Sequence, residues 1–132
     1  MARNPKKARR LVVAGETFLW SLNHTHRAGE SGRYEDCCES VVLRRLRARG
    51  HLRILFREGP GRLAASGFPM SSGEVCSGGR HLNLHEPGTV RALLDEALRH
   101  GWCPDDPSGR EIDGWTHFDA VVRRREAATR PG

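Results

Sequence analysis

Two histidines separated by one residue, His24 and His26, are the first candidates for chemistry in this chain of 132 residues. They end a stretch, 17–26, in which apolar and polar residues alternate, a pattern typical of a β-strand with one buried face. Side chains two residues apart on a strand point to the same side and lie about 6–7 Å apart. Both imidazoles could therefore reach one metal ion, and zinc, which binds histidine nitrogen, is the ion that we consider.

A zinc site needs at least one further ligand, and several residues elsewhere in the chain could supply it. His81 and His85 would share one face of a strand predicted over 80–85, and the other candidates are the cysteines Cys37, Cys38 and Cys76. The spacings CxxC and HExxH, which mark many zinc sites, do not occur. The competing interpretation places these histidines half exposed at strand ends. A zinc site built from His24, His26, His81 and His85 is therefore one hypothesis among several.

Arginine forms the second candidate group, because all but two of the 22 basic residues are arginine and the formal net charge is +6. Residues 1–66 hold 14 basic residues against 6 acidic ones, whereas residues 67–132 hold 8 against 10. Six arginines crowd two neighbouring predicted strands and could follow a phosphate backbone or an acidic partner, namely Arg44, Arg45, Arg47, Arg49, Arg53 and Arg57. Few aromatic residues lie near them for base stacking. The competing interpretation spreads the arginines over solvated faces.

No set of residues typical of catalysis stands out in the sequence. Cys37 and Cys38 are surrounded by acidic residues, and neighbouring carboxylates raise the pKa of a thiol, which disfavours the reactive thiolate. The glycine-rich segments 59–61 and 77–79 lack the GxxxxGK[ST] pattern of a phosphate-binding loop and are interpreted as turns. We therefore expect a protein without enzymatic activity.

The apolar runs of the chain are short. None approaches the roughly 18 residues that a membrane-spanning helix needs, and the run after the basic N-terminus is too short for a signal peptide. We therefore expect a cytoplasmic protein with no membrane partner, and with its four cysteines reduced.

A helix predicted over Pro87–His100 is the element around which the rest must be arranged. Its apolar residues recur at helical spacing and form one stripe, Val90, Leu93, Leu94, Ala97 and Leu98, while Asp95 and Glu96 are expected on the exposed face. Gly101 can take the left-handed position that ends a helix, and Trp102 can fold back on to it. A stripe of this width needs an apolar surface, which the strands before it are expected to supply.

Segments with strand-like composition precede this helix at 10–13, 17–26, 34–48, 51–58, 62–66 and 80–85. An edge strand over 110–113 and a short final helix from Thr116 are expected after it. Strands followed by helices favour an α+β fold, with an antiparallel sheet of four to five strands covered on one face by the helix. We expect a mobile basic arm over 1–9, a single domain over 10–128 and a tail over 129–132. The predicted core comprises Phe18, Trp20, Leu22, Val41 or Val42, Leu52, Ile54, Phe56, Val90, Leu93, Leu94, Leu98 and Trp102.

Two motifs carry a resemblance to a known group of proteins. A glycine followed by a strand ending in Trp-x-Leu (Gly15, Trp20, Leu22), with a late helix closing in Gly-Trp-x-Pro (Gly101, Trp102, Pro104), resembles a group of small uncharacterised bacterial α+β proteins. The resemblance implies a compact sheet with one covering helix. It brings no activity, cofactor or catalytic residue with it.

Three classes of function follow from these observations. The main hypothesis is a small non-catalytic accessory or interaction module, whose partner is another protein or a second copy of the chain. Self-association would use an exposed strand edge near Arg53 and Arg62. The alternatives are a nucleic-acid-binding protein with a basic surface, and a zinc-binding protein or zinc enzyme with a site based on His24 and His26.

Overall fold

The computed structural model describes residues 8–29, 34–64 and 73–129, which form two β-sheets and two helices. The elements in chain order are β1 (Arg9–Val13), β2 (Glu16–Ala28), β3 (Tyr34–Arg45), β4 (Leu52–Arg57), β5 (Arg62–Ala64), β6 (Glu74–Ser77), β7 (Arg80–Asn83), α1 (Pro87–Arg99), β8 (Arg110–Asp113) and α2 (Trp115–Thr129). The predicted α+β class is confirmed. Residues 1–7 and 130–132, which hold most of the predicted arm and tail, lie outside the described residues, and Arg9 already belongs to β1.

Five strands form the large sheet in the order β1-β2-β3-β4-β8. The turn between β1 and β2 places Ala14 and Gly15 at φ angles of 52° and 80°, as a hairpin turn with two left-handed residues requires. Trp20 on β2 lies opposite Leu43 on β3, and Leu22 lies opposite Val41, so these strands contribute their alternate residues to one apolar face. The strand predicted for 17–26 is thereby confirmed, and so is the buried face predicted for Phe18, Trp20 and Leu22. The register with β3 shifts between Thr25 and Arg27, next to His26.

The pairing of β8 differs from the expected antiparallel arrangement. β8 runs parallel to β4, with Ile112 opposite Ile54, because the chain between them crosses over through the second sheet and α1 and then returns in the same direction. β4 therefore lies inside the sheet, and the exposed edge expected at Arg53 is wrong. The second sheet is antiparallel, with the strand order β5-β6-β7. Arg62 begins β5, which is an edge strand of this sheet.

The predicted helix is present as α1, and its end is held by a specific pair of backbone hydrogen bonds. The Trp102 N–H donates to the Ala97 carbonyl at 2.9 Å, and the Gly101 N–H donates to the Leu98 carbonyl at 3.2 Å. Gly101 takes a φ of 97°, which a residue with a side chain rarely adopts. The chain thus reverses at Gly101 and brings the Trp102 ring against Phe18 of β2, at 6.4 Å between ring centroids.

The final helix is longer than expected and is anchored on β4. The Trp115 indole N–H donates to the Arg57 carbonyl at 2.8 Å, and its ring packs edge-on against Phe56 at 5.2 Å between centroids. A Cβ atom at Gly114 would overlap the Phe56 ring, so only glycine fits before the helix. From this anchor α2 runs beside α1, where Val121 is fully buried.

This packing gives α1 a second buried stripe, which the apolar pattern did not indicate. Thr89, Ala92 and Glu96 are all buried, in addition to the stripe that faces the sheet. Glu96 is only 3% exposed, so its expected place on the exposed face is wrong. The reason is that α2 packs along α1 and an arginine of α2, Arg124, reaches the Glu96 carboxylate.

The predicted core is buried, with Val41 rather than Val42 as its β3 member, and with Leu98 partly buried against it. The core lies on one face of the large sheet, together with both helices and the second sheet. The opposite face, called here the outer face, carries Leu19, Val42 and Arg53, none of which belongs to the core. No helix in the described part of the chain is long and apolar enough to cross a membrane.

Candidate metal centre

His24 lies at the end of the core face of β2 and is paired across the sheet with Glu39 of β3. We call these two residues the strand pair. The His24 Nδ1 atom lies 2.5 Å from the Glu39 Oε1 atom, and the Gly73 N–H donates to the same oxygen at 3.1 Å. Glu39 is fully buried, and His24 is 16% exposed. The first histidine predicted from the sequence thus has a carboxylate neighbour on the adjacent strand.

The other predicted histidines lie on different segments. His85 follows β7, and its ring contacts Gly73 so closely that a Cβ atom at Gly73 would overlap it. His81 is exposed on β7, opposite Cys76 of β6. The side chain of His26 lies outside the described part of the chain, so the four-histidine site stays a prediction. No group of three potential ligands within 4.8 Å includes His24, His81 or His85 among the described residues.

A group of that kind does form at the helices, from Glu96, His100 and His117. We call it the helix group. One ligand atom from each residue lies within 4.8 Å of the other two. The His100 Nε2 atom is 3.4 Å from the Glu96 Oε2 atom, and the two imidazole rings are 4.8 Å apart between centroids. Two nitrogens and one carboxylate oxygen therefore converge at the junction of the two helices.

The two helix ends position these side chains. His100 directly follows α1 and lies four residues after Glu96, so both project from the same side of the last turn. His117 lies in the first turn of α2, where its N–H donates to the Gly114 carbonyl at 3.1 Å. Asp113 accepts the Trp115 N–H at 3.0 Å and so fixes the start of α2. The anchors at Gly101 and Gly114 therefore determine where the three ligands meet.

The electrostatic surroundings keep the carboxylate charged. The Arg124 Nε donates to Glu96 Oε1 at 2.9 Å, and this hydrogen bond lowers the pKa of the Glu96 carboxyl below its ordinary value. Burial lowers the pKa of His117, and the neighbouring His100 lowers it further. Near neutral pH Glu96 is therefore an anion and His117 is uncharged, which are the protonation states that bind a metal. The negative end of the α1 dipole also favours a cation here.

The distance between one pair of the candidate ligand atoms suits a small tetrahedral ion. Two atoms each bonded to zinc at 2.0–2.1 Å, at a tetrahedral angle, are about 3.4 Å apart. The distance of 3.4 Å between His100 Nε2 and Glu96 Oε2 matches that value. Arg124 donates a hydrogen bond to the other carboxylate oxygen, Oε1, and Oε2 is the oxygen that lies beside His100. His100 is 58% exposed, which leaves a solvent-facing side for a fourth ligand such as water.

The sequence contained part of this signal. Glu96 and His100 have the i, i+4 spacing that places two ligands on one side of a helix, within the stretch Glu-Ala-Leu-Arg-His. The third ligand, His117, depends on the packing of α2 against α1, which no local pattern indicates. His100 and His117 lie on no predicted strand, so the strand pattern that pointed to His24 and His26 does not indicate them.

The six predicted arginines do not share one surface. Arg53 and Arg57 lie on the outer face of β4, opposite Val42 and Cys38, and Arg44 lies on the outer face of β3. Arg45 lies on the other side of the sheet, where it pairs with Asp105. Arg47 and Arg49 belong to the loop between β3 and β4. The structure therefore brings three of the six together on the outer face.

The adjacent cysteines point to opposite sides of β3. Cys37 is buried in the core, whereas Cys38 is half-buried and helps to line a cavity of about 470 Å³ on the outer face. Burial raises the pKa of the Cys38 thiol, Arg57 opposes the rise and Glu39 adds to it. Cys38 is therefore mainly a protonated thiol near neutral pH, which agrees with the prediction that it is a poor nucleophile.

No protein family, curated protein or solved structure matches this chain.

Proposed function

We propose that this chain binds one zinc ion through the helix group, Glu96, His100 and His117. The proposal keeps the zinc hypothesis raised from the sequence and moves it from the strand histidines to the junction of the helices. The observation that carries it is the convergence of one carboxylate and two imidazoles within 4.8 Å of one another.

The ligand types favour zinc over the common hard cations. Magnesium and calcium are bound mainly by oxygen atoms, whereas zinc readily takes a set of two histidines and one carboxylate. Such a three-ligand set leaves a fourth position for water or for a group of another molecule. The partly exposed His100 places that position at the surface.

A purely structural role for the same residues makes a different prediction. In that role Glu96 serves to join α1 to α2 through Arg124, and the two histidines are neighbours of this ion pair. Replacing either histidine would then leave zinc binding unchanged. In the zinc site, each histidine supplies one of three ligands, and losing one weakens binding strongly.

The test is a zinc titration of the purified chain without a histidine tag, after removal of metal with a chelator. Competition with a chromogenic chelator gives the affinity, and elemental analysis gives the stoichiometry, which we expect to be one ion per chain. His100→Gln and His117→Gln are each expected to weaken zinc binding by at least about tenfold, since even second-shell changes cost about 10–100-fold. Magnesium serves as the ion that should not compete.

His81→Gln is the matched control, because His81 is exposed on β7 and belongs to no three-ligand group among the described residues. It should bind zinc as the wild type does. His24→Gln tests the strand histidines in the same assay. Less than about a tenth of an equivalent of zinc after loading would refute the proposal, as would wild-type affinity in both helix-group variants.

A further inference from the structure

Ion pairing divides the six predicted arginines into two groups of three. Arg45 pairs with Asp105 and, at 3.7 Å, with Glu16. Arg53 and Arg57 both approach Glu111, at 3.4 Å and 3.7 Å. The remaining three have no acidic partner among the described residues, and these are Arg44, Arg47 and Arg49. Their charge is therefore not offset by any carboxylate that the structure describes.

The three unpaired arginines lie together at one end of the large sheet. Arg44 is at the end of β3 on the outer face, in register with Leu19 of β2. Leu19 is also in register with Arg10 of β1, which has no acidic partner within the described ranges either. Arg47 and Arg49 follow in the exposed loop that leads to β4. We call Arg10, Arg44, Arg47 and Arg49 the arginine end.

The loop that carries two of these arginines is held at both ends. The Leu46 N–H donates to the Thr17 carbonyl at 2.8 Å, and the Gly50 N–H donates to the Pro104 carbonyl at 2.9 Å. Between them Arg47 has a φ of 69°, a left-handed conformation that is costly for a residue with a side chain. Such strain persists where the surroundings enforce it, and it is frequent at binding sites. The backbone that carries these two arginines is therefore held in a defined conformation.

A shallow depression of about 190 Å³ adjoins the arginine end. Its walls include Leu19 and Val42 of the outer face, with Arg44 and His51 beside them. Ala8 also lines it. Arg44 of β3 and His51 of the loop before β4 therefore meet at this depression.

We propose that the arginine end binds the phosphate backbone of a nucleic acid. Guanidinium groups donate two parallel hydrogen bonds to a phosphate, and unpaired arginines can do so without first breaking an ion pair. Contacts of this type are made to the backbone and do not depend on base sequence. This surface lies on strands and a loop remote in sequence from the helix group, so the proposal is independent of zinc binding.

The test compares two triple variants that remove the same charge from the same part of the chain. The test variant is Arg44→Gln, Arg47→Gln and Arg49→Gln, and the control variant is Arg45→Gln, Arg53→Gln and Arg57→Gln. Fluorescence anisotropy measures binding of labelled single-stranded and duplex oligonucleotides between about 50 and 200 mM salt. Circular dichroism establishes that each variant is folded, and Arg47→Gln and Arg49→Gln singly provide exposed substitutions if a triple variant unfolds.

The wild type should bind at low salt, with an affinity that falls steeply as salt rises. The test variant should bind at least about tenfold more weakly, and the slope of log K against log salt should fall by about three. In the control variant this slope should fall by less than about one. Equal losses in both variants would overturn the proposal, because they would reflect net charge alone. Absence of binding at low salt would also overturn it. If polyglutamate bound equally tightly, the proposal would also be overturned, and an acidic protein partner would be indicated.

Discussion

The strand pair and the helix group both place a buried glutamate against a histidine, but they differ in what surrounds the carboxylate. Glu39 is fully buried, and it receives His24 and the Gly73 N–H on one oxygen. Glu96 is 3% exposed, yet both of its side-chain partners, Arg124 and His100, reach the solvent. The first carboxylate is enclosed by the core, whereas the second lies at its margin.

This difference separates a structural contact from a site that can take a ligand. A metal ion must reach its ligands from water, and a fourth position must remain for another group. The helix group meets both conditions through His100, and its third ligand comes from a separate helix. The strand pair consists of cross-strand neighbours whose contact already satisfies one oxygen of the carboxylate. We therefore expect Glu39 to matter for folding and Glu96 to matter for binding.

The largest expected effect is the loss of stability on replacing Glu39. Glu39→Ala removes the partner of His24 and leaves the Gly73 N–H without its acceptor, so the free energy of unfolding should fall by about 3–5 kcal/mol. Urea denaturation measures this change. Glu96→Ala is the paired variant and should lose less, because water can replace Glu96 at Arg124 and His100. Equal losses in the two variants would remove the distinction between the two regions.

The helix group also depends on how firmly α1 is packed. Leu94 is fully buried on the side of α1 that faces the sheet. Leu94→Ala should therefore lower the free energy of unfolding by about 2–5 kcal/mol. Leu63→Ala is the control, since Leu63 is 49% exposed and its truncation should change stability little. An unchanged melting temperature in Leu94→Ala would contradict the packing of α1 that brings Glu96 to His117.

Zinc should stabilise the folded protein by binding at the helix group and not at the strand pair. A ligand present at about 100 times its dissociation constant stabilises the folded state by about 2.7 kcal/mol, which raises the melting temperature. We expect this rise in the wild type and in His24→Gln, and we expect it to be lost in His117→Gln. Differential scanning fluorimetry with and without zinc measures it. A response that disappears in His24→Gln and persists in His117→Gln would transfer the site to the strands.

Much of the fold could be predicted because its signals are local. The alternation in 17–26 and the stripe ending at Gly101 and Trp102 each reflect the period of one element, and both are confirmed. The burial of Glu96 could not be predicted in this way, since it results from contact with a second helix whose length was underestimated. The parallel pairing of β8 depends likewise on a crossover. Site residues that are brought together by such long-range packing carry no mark in the local pattern.

The smallest expected effect concerns the influence of Glu39 on the neighbouring thiol of Cys38. Cys38 is the next residue on β3, and the Glu39 carboxylate helps to raise the pKa of its thiol, after burial as the main cause. Glu39→Gln removes that charge while keeping the size of the side chain. The pH at which iodoacetamide alkylation of Cys38 is half-maximal should therefore move downward, by less than about one unit.

The direction of this shift follows from the charge of the reactive species. Iodoacetamide reacts with the thiolate, and an adjacent carboxylate destabilises the thiolate, so removing the carboxylate allows the thiol to ionise at lower pH. Cys103, which is exposed and distant in sequence, should keep its own profile, and Cys37 should stay unreactive as long as the core is closed. Mass spectrometry of the alkylated peptides distinguishes Cys38 from the other three cysteines. An unshifted Cys38 profile would mean that Glu39 does not contribute to the raised pKa of the Cys38 thiol, and burial alone would then account for it.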